Sequence, residues 1–262
     1  MIPMLRTSTI RLLLILGSLL AFKSHGGPPF LTDDPEPVDY EHWEFYIASM
    51  DTKTSDGWSG TAPHFELNYG VVPNVQLHLI APLAYDAPTS GKSHYGYGDT
   101  ELGVKFRFLQ ETNWVPQAGI FPLLELPTGN ANENLGNGRA QLFLPLWLQK
   151  SWGDWTAYGG GGYGLNSGAG NQNWNFVGAV LQKQVLTNLL VGAEVYHQTA
   201  QQTGGRDNTA FNIGTVFDLS EQHHLLFSVG SSIDGPVSFQ CYIAYQFTFD
   251  NSLFHFWNHS RH

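Results

Sequence analysis

One cysteine, Cys241, in a chain of 262 residues leaves no internal disulfide to be made, so no covalent staple holds this fold. Charge is scarce too. Only 13% of residues are Asp, Glu, Lys or Arg, about half of ordinary globular usage. Twelve bases stand against 22 acids, for a formal net charge of −10. That balance excludes nucleic acid as a partner, because proteins that grip phosphate backbones are basic. Disorder is excluded as well, since a disordered chain is rich in charge and poor in aromatics. Beyond the N-terminus no apolar run approaches the roughly 18 residues that a spanning helix needs. The histidines are scattered without the short spacing of a metal site. The run Gly159 to Gly164 lacks the Lys-Ser/Thr of a phosphate loop, and reads as a wall that must bend or admit a close side chain. Nothing orders Ser, His and acid into a hydrolase set. No catalytic residue, cofactor or metal is therefore assigned, and the chain reads as a non-enzyme.

What the chain has in plenty is glycine (29), tyrosine (11), phenylalanine (17) and tryptophan (8). Helical bundles want Ala, Glu, Lys and Leu with little Gly. The mix fits a β-rich protein with many turns and many amphipathic rings.

Residues 1–26 read as an address. Arg6 and Arg11 precede the apolar run Leu12 to Phe22, and Lys23 to Gly27 restore polarity. The run is too short to cross about 30 Å of hydrocarbon as a helix. A positive start, a short apolar core and small residues at Ser24 and Gly26 describe a secretory signal. A membrane anchor is the alternative.

From residue 43 the pattern has period two. In Thr100 to Phe108, Leu102, Val104, Phe106 and Phe108 share one face, and Glu101, Gly103, Lys105 and Arg107 the other. Similar alternation recurs in 64–71, 75–85, 140–149, 189–198, 209–218 and 237–249. Weaker runs lie at 43–50, 115–127, 156–165, 174–185 and 224–231. Together they give about twelve strands of about ten residues each, the length of tilted membrane strands. Tight turns at 72–74, 110–114, 152–155, 186–188 and 220–222 alternate with longer Gly/Asn/Ser-rich connections at 51–60, 86–97, 129–139, 166–172 and 200–207. Short connections on one side and long ones on the other mark an outer-membrane barrel, with an even strand count placing both termini in the periplasm. Trp43, Trp114, Trp152, Trp155 and Phe249 fall on the short side, and Tyr85, Tyr95, Tyr97 and Trp174 on the long side, as two aromatic girdles would.

A soluble β-sandwich or lectin-like domain shows the same alternation, but its water-facing side carries more Lys and Glu than this chain has. The expected fold is all-β: a transmembrane, antiparallel, up-and-down β-barrel spanning residues 43–249 in the bacterial outer membrane, with a tail over 250–262. Its partners are the lipid bilayer, the outer-membrane assembly machinery and a small-molecule solute. By register, Glu44, Glu66, Asp99, Glu101, Glu125, Glu194 and Asp218 line the lumen against Lys105 and Arg107. That excess of carboxylates favours cations or neutral solutes over anions. A small barrel whose side chains fill it and conduct nothing is the competing reading, with the loops as a structural or adhesive working surface. His223-His224 reads as a solvated turn pair, since neighbours on a strand point to opposite faces.

Gly27-Pro28-Pro29-Phe30-Leu31-Thr32-Asp33-Asp34-Pro35-Glu36-Pro37, followed by His42-Trp43-Glu44, resembles the opening segment of the outer-membrane β-barrel family named for the MetA (meta-cleavage) pathway of phenol degradation. Tyr97 to Gly103 with Lys105, and Leu126-Pro127-Thr128-Gly129, resemble its inner motifs. The resemblance runs over nearly all of the chain to Phe249; Asn251 to His262 depart from it. It implies an outer-membrane transporter or channel for small solutes, aromatic or hydrophobic ones among them, and carries over no binding residues.

The segment before the barrel, residues 27–42, is rich in Pro and Asp and can form neither helix nor interior strand. It is either a periplasmic tail or a plug folded back into the lumen, where Asp33 and Asp34 would meet Lys105 and Arg107.

Overall fold

The structure, a computed structural model, describes residues 27–253. The signal reading therefore falls outside the described residues, as does most of the C-terminal tail. Fourteen strand segments follow one another: β1 His42–Lys53, β2 Gly57–Val72, β3 Val75–Pro88, β4 His94–Tyr97, β5 Thr100–Leu109, β6 Gln117–Ile120, β7 Leu123–Leu126, β8 Gln141–Trp152, β9 Trp155–Asn166, β10 Trp174–Leu186, β11 Leu189–Gln198, β12 Asn208–Asp218, β13 His223–Asp234 and β14 Phe239–Asp250. Both β4 and β5 pair with β3, and both β6 and β7 pair with β8, so each couple is one interrupted stave. Twelve antiparallel staves result. Pairing of β1 with β14, from His42 opposite Asp250 to Lys53 opposite Phe239, closes the sheet on itself.

Closure matters because every stave then has a partner on both sides, although the segment β4 pairs with β3 alone. The interruptions have local causes. Pro122 has no N–H to give, and its carbonyl accepts from the Val104 amide (3.2 Å) where β6 gives way to β7. Between β4 and β5, Asp99 turns its carboxylate to the Gly129 amide (2.8 Å) and the Asn137 amide (2.5 Å). The stretch 115–127, read as one strand from sequence, is thus two.

Exposure is inverted relative to a soluble core. Leu102, Val104, Phe106 and Phe108 are 40–52% exposed, while Lys105 beside them is 5% exposed. The same outward apolar face recurs at Leu144, Leu146 and Leu148, at Val177 and Leu181, and at Ile213 and Ile243. A closed barrel wearing that belt is an outer-membrane barrel. Its short turns stay short, but strand pairing runs through two stretches expected to be loops. Only 54–56 separate β1 from β2, and Asp86 pairs with His94 beyond the 89–93 turn. Trp174 is also corrected: it is 8% exposed and stacks on Phe143 at 4.7 Å, so it belongs to the lumen and not to a girdle.

Val104→Arg should cost on the order of 2–4 kcal/mol at mid-bilayer depth, where Val104→Leu should be near neutral. Urea titration of the folded barrel in lipid vesicles reads the difference. Equal stability of the two variants would contradict the outward placement of this row.

Candidate functional site

Residues 27–39 lie inside the barrel. Their path is built from groups the lumen would otherwise leave unmatched. Thr32 and Asp34 are fully buried, and Phe30 packs with Tyr158 and Val180. Five of the first eleven residues here are Pro or Gly; the amides of Phe30, Asp34 and Glu36 bond within the segment, and the wall meets others of its backbone groups. Glu194 on β11 accepts the Thr32 amide (2.5 Å) and the Leu31 amide (3.3 Å), and also takes an Asn212 amide N–H (2.6 Å). Ser228 on β13 donates to the Pro29 carbonyl (2.6 Å), and Gln76 on β3 accepts the Val38 amide (2.8 Å).

Charge fixes the far side. The Lys105 ammonium lies 2.8 Å from Asp33 and 3.7 Å from Asp34. Arg107, expected to share these aspartates, instead sits 3.6 Å from Glu36. Glu36 also receives the side-chain amides of Gln117 (3.1 Å) and Gln149 (3.0 Å). The acidic residues of the segment and the two bases of β5 thus match in order along the chain. In the segment itself, burial pushes the Asp34 carboxyl up to about 7, against the opposing pull of Lys105.

Shape fixes the rest. A β-carbon on Gly178 would collide with the Thr32 hydroxyl, and one on Gly192 or Gly214 would come within 3.0 Å of the Phe30 ring. A second glycine set serves a different purpose. Cβ atoms at Gly162 and Gly164 would strike the Phe143 and Trp174 rings, so this run of β9 makes room for an aromatic cluster of Phe121, Phe143, Trp147, Trp174, Phe176 and Tyr196. Rings fill one side of the lumen.

The other side stays open. A cavity of about 820 Å³ runs beside the segment, lined at the short-turn rim by His42 and Thr248 and at the long-loop rim by Thr52 and Val237. Its wall is a set of register rows. Gln246, Tyr46, Glu66, Ile80 and Glu101 stand opposite one another across β14, β1, β2, β3 and β5. The neighbouring row carries Thr248, Glu44, Asn68 and His78. His78 lies 3.0 Å from Glu101 and 3.6 Å from Glu66.

The remaining lumen candidates divide. Glu125, opposite Glu101, accepts from Gln141 (2.6 Å). Asp99 belongs to the loop junction described above and Asp218 to the opposite rim, where His224 lies 2.6 Å away. His224 is 2% exposed, and His223 is half-buried, bonded to the Tyr245 hydroxyl and stacked on Phe247, so the solvated pair read from sequence does not form.

No family model matches the chain, and no curated protein does. Among solved structures the chain is similar to an outer membrane channel from Pseudomonas putida F1, at 16% identity and a TM-score of 0.69, covering 82% of this chain and 98% of that one. It is also similar to the translocator domain of the autotransporter NalP from Neisseria meningitidis, at 10% identity and a TM-score of 0.47, covering 79% of this chain and 87% of that one. At 16% identity the likeness to the channel is one of fold.

Gly178→Val should unseat the lumenal segment. With Cys241→Ser and Pro35→Cys as a reporter, maleimide labelling of the folded barrel should be slow while Gly178 is kept and severalfold faster once valine replaces it. Equal rates would show that this glycine does not hold the segment's place.

Proposed function

We propose that this protein is an outer-membrane channel for small solutes, narrowed by its own N-terminal segment acting as a plug. The observation that carries the reading is the cavity beside residues 27–39, which reaches lining residues at both rims. A barrel filled only to bury its side chains would have no such continuous space. The similarity to a channel of the same fold supports the reading.

The finer parts of the proposal rest on the sequence. Residues 1–26 are a signal for export, both termini face the periplasm, and the outer-membrane assembly machinery inserts the barrel. The resemblance to the phenol-pathway family favours small aromatic or hydrophobic solutes. The acid-rich lining favours cations and neutral molecules over anions, because carboxylates in a confined space repel negative charge.

The plug sets the width of the passage. Held by Lys105, Arg107 and Glu194, it stays in place at rest and leaves the route along β14, β1, β2 and β3. Deleting residues 27–37 should raise single-channel conductance in planar bilayers severalfold, with the heat-modifiable mobility of a folded barrel retained. A folded deletion variant with unchanged conductance would contradict the plug, and absence of conductance from both proteins would contradict the channel.

A further inference from the structure

The open side of the lumen has a chemical bias beyond general acidity. Glu44, Glu66 and Glu101 line it from two adjacent rows, and among the described residues that line the cavity Lys105 is the one fixed cation. Lys105 is already engaged by Asp33 and Asp34. Among the described residues Glu44, Glu66 and Glu101 have no Lys or Arg within ion-pair distance. Four imidazoles, His42, His64, His78 and His224, also line the cavity, of which His78 lies between Glu66 and Glu101 and His224 is engaged by Asp218.

The hydrogen-bond directions point the same way. The Tyr46 hydroxyl donates to Glu44 (2.8 Å), and the Gln246 side-chain amide donates to the Tyr46 oxygen (2.8 Å). In that chain the Tyr46 proton goes to Glu44, and none reaches the Gln246 side-chain carbonyl. The Gln246 Oε1 atom is buried on a residue 1% exposed and has no hydrogen-bond partner among the described residues. The Tyr242 hydroxyl, on the same inner face of β14 and able to donate as well as accept, also has no hydrogen-bond partner among the described residues. Both residues line the cavity. A buried acceptor without a donor is costly, and native structures seldom keep one without a use.

We infer that this wall is a binding subsite for a protonated amine carried on a small apolar body. The ammonium supplies the donor that Gln246 Oε1 lacks and a positive charge beside Glu44 and Glu66. The Tyr46 and Tyr242 rings offer π-faces to the cation. Leu226, Ile80 and Phe121, which also line the cavity, receive the apolar part. The volume lies within the range of ordinary small-molecule sites. Neutral isosteres lose the charge-assisted bonds, and carboxylates meet three like charges.

The inference deepens the channel reading and rests on the lumen being a passage, but its test does not require conduction. Phenethylammonium chloride, 2-phenylethanol and 3-phenylpropionate are titrated into the folded full-length barrel in detergent, with isothermal calorimetry as the readout. Phenethylammonium should bind saturably, the alcohol at least about tenfold more weakly, and the carboxylate not measurably. Gln246→Leu and Glu66→Gln should each weaken phenethylammonium severalfold, and Glu66→Gln should weaken it more than it weakens the alcohol. Should either variant fail to fold, the comparison of the three probes on the unaltered protein decides. Equal binding of ammonium and alcohol, or binding of neither, overturns the subsite. If the barrel conducts ions but does not discriminate these probes, only the subsite falls and the channel reading stands.

Discussion

The lumen is organised around the Lys105 ammonium. It is 5% exposed, faces the Phe121 ring at 4.9 Å, and among the described residues has no carboxylate of the sheet within ion-pair distance. Asp33 and Asp34 meet it. Removing one member of a buried pair leaves the other stranded, typically at about 3–5 kcal/mol. The barrel wall and the segment are for this reason one structure. With Lys105 holding the middle of the segment, Glu194 reaches its backbone a few residues earlier and Arg107 reaches Glu36 a few residues later. The position of the segment then decides which side of the lumen remains open.

Asymmetry is the second consequence. On the β6 to β11 side, inward aromatics stack in the space that glycines of β9 vacate, and the segment fills much of what is left. On the β14 to β3 side the inner face is polar and the cavity persists. A lumen with one aromatic wall and one acidic wall presents different chemistry at its two faces, which a ring of identical groups does not.

Much of this is legible in the sequence, and the reasons are physical. Strand positions follow from period-two alternation, since a lipid-facing belt cannot be interrupted by charge, and the inward row Glu101, Gly103, Lys105, Arg107 is the clearest case. The lumenal segment is legible only as one of two possibilities. Its prolines exclude helix and strand but do not choose between tail and plug. The choice rests on pairings across the barrel, such as Lys105 with Asp33, that no local pattern encodes. Sequence assigns Arg107 the wrong carboxylate because Asp33 and Asp34 both fit one lysine, leaving Glu36 as the next acid along. Trp174 is misplaced because a tryptophan near a loop looks the same whether it anchors in the interface or turns inward. Gly164 opposite it is the signal that could have found it, since sequence alone marks that glycine run only as a place of bending or close approach. The orphan acceptor on Gln246 has no sequence signature, because it depends on which neighbour Tyr46 donates to.

The central claim is that residues 27–39 occupy the lumen through bonds to the wall, and amide hydrogen exchange at Leu31 and Thr32 tests it most directly. Both amides donate to Glu194 inside a closed barrel, so in the folded protein in detergent they should exchange far more slowly than an unstructured chain, and Glu194→Ala should speed them selectively. Exchange at the rate of a free peptide in the unaltered protein would place the segment outside the barrel and contradict the account.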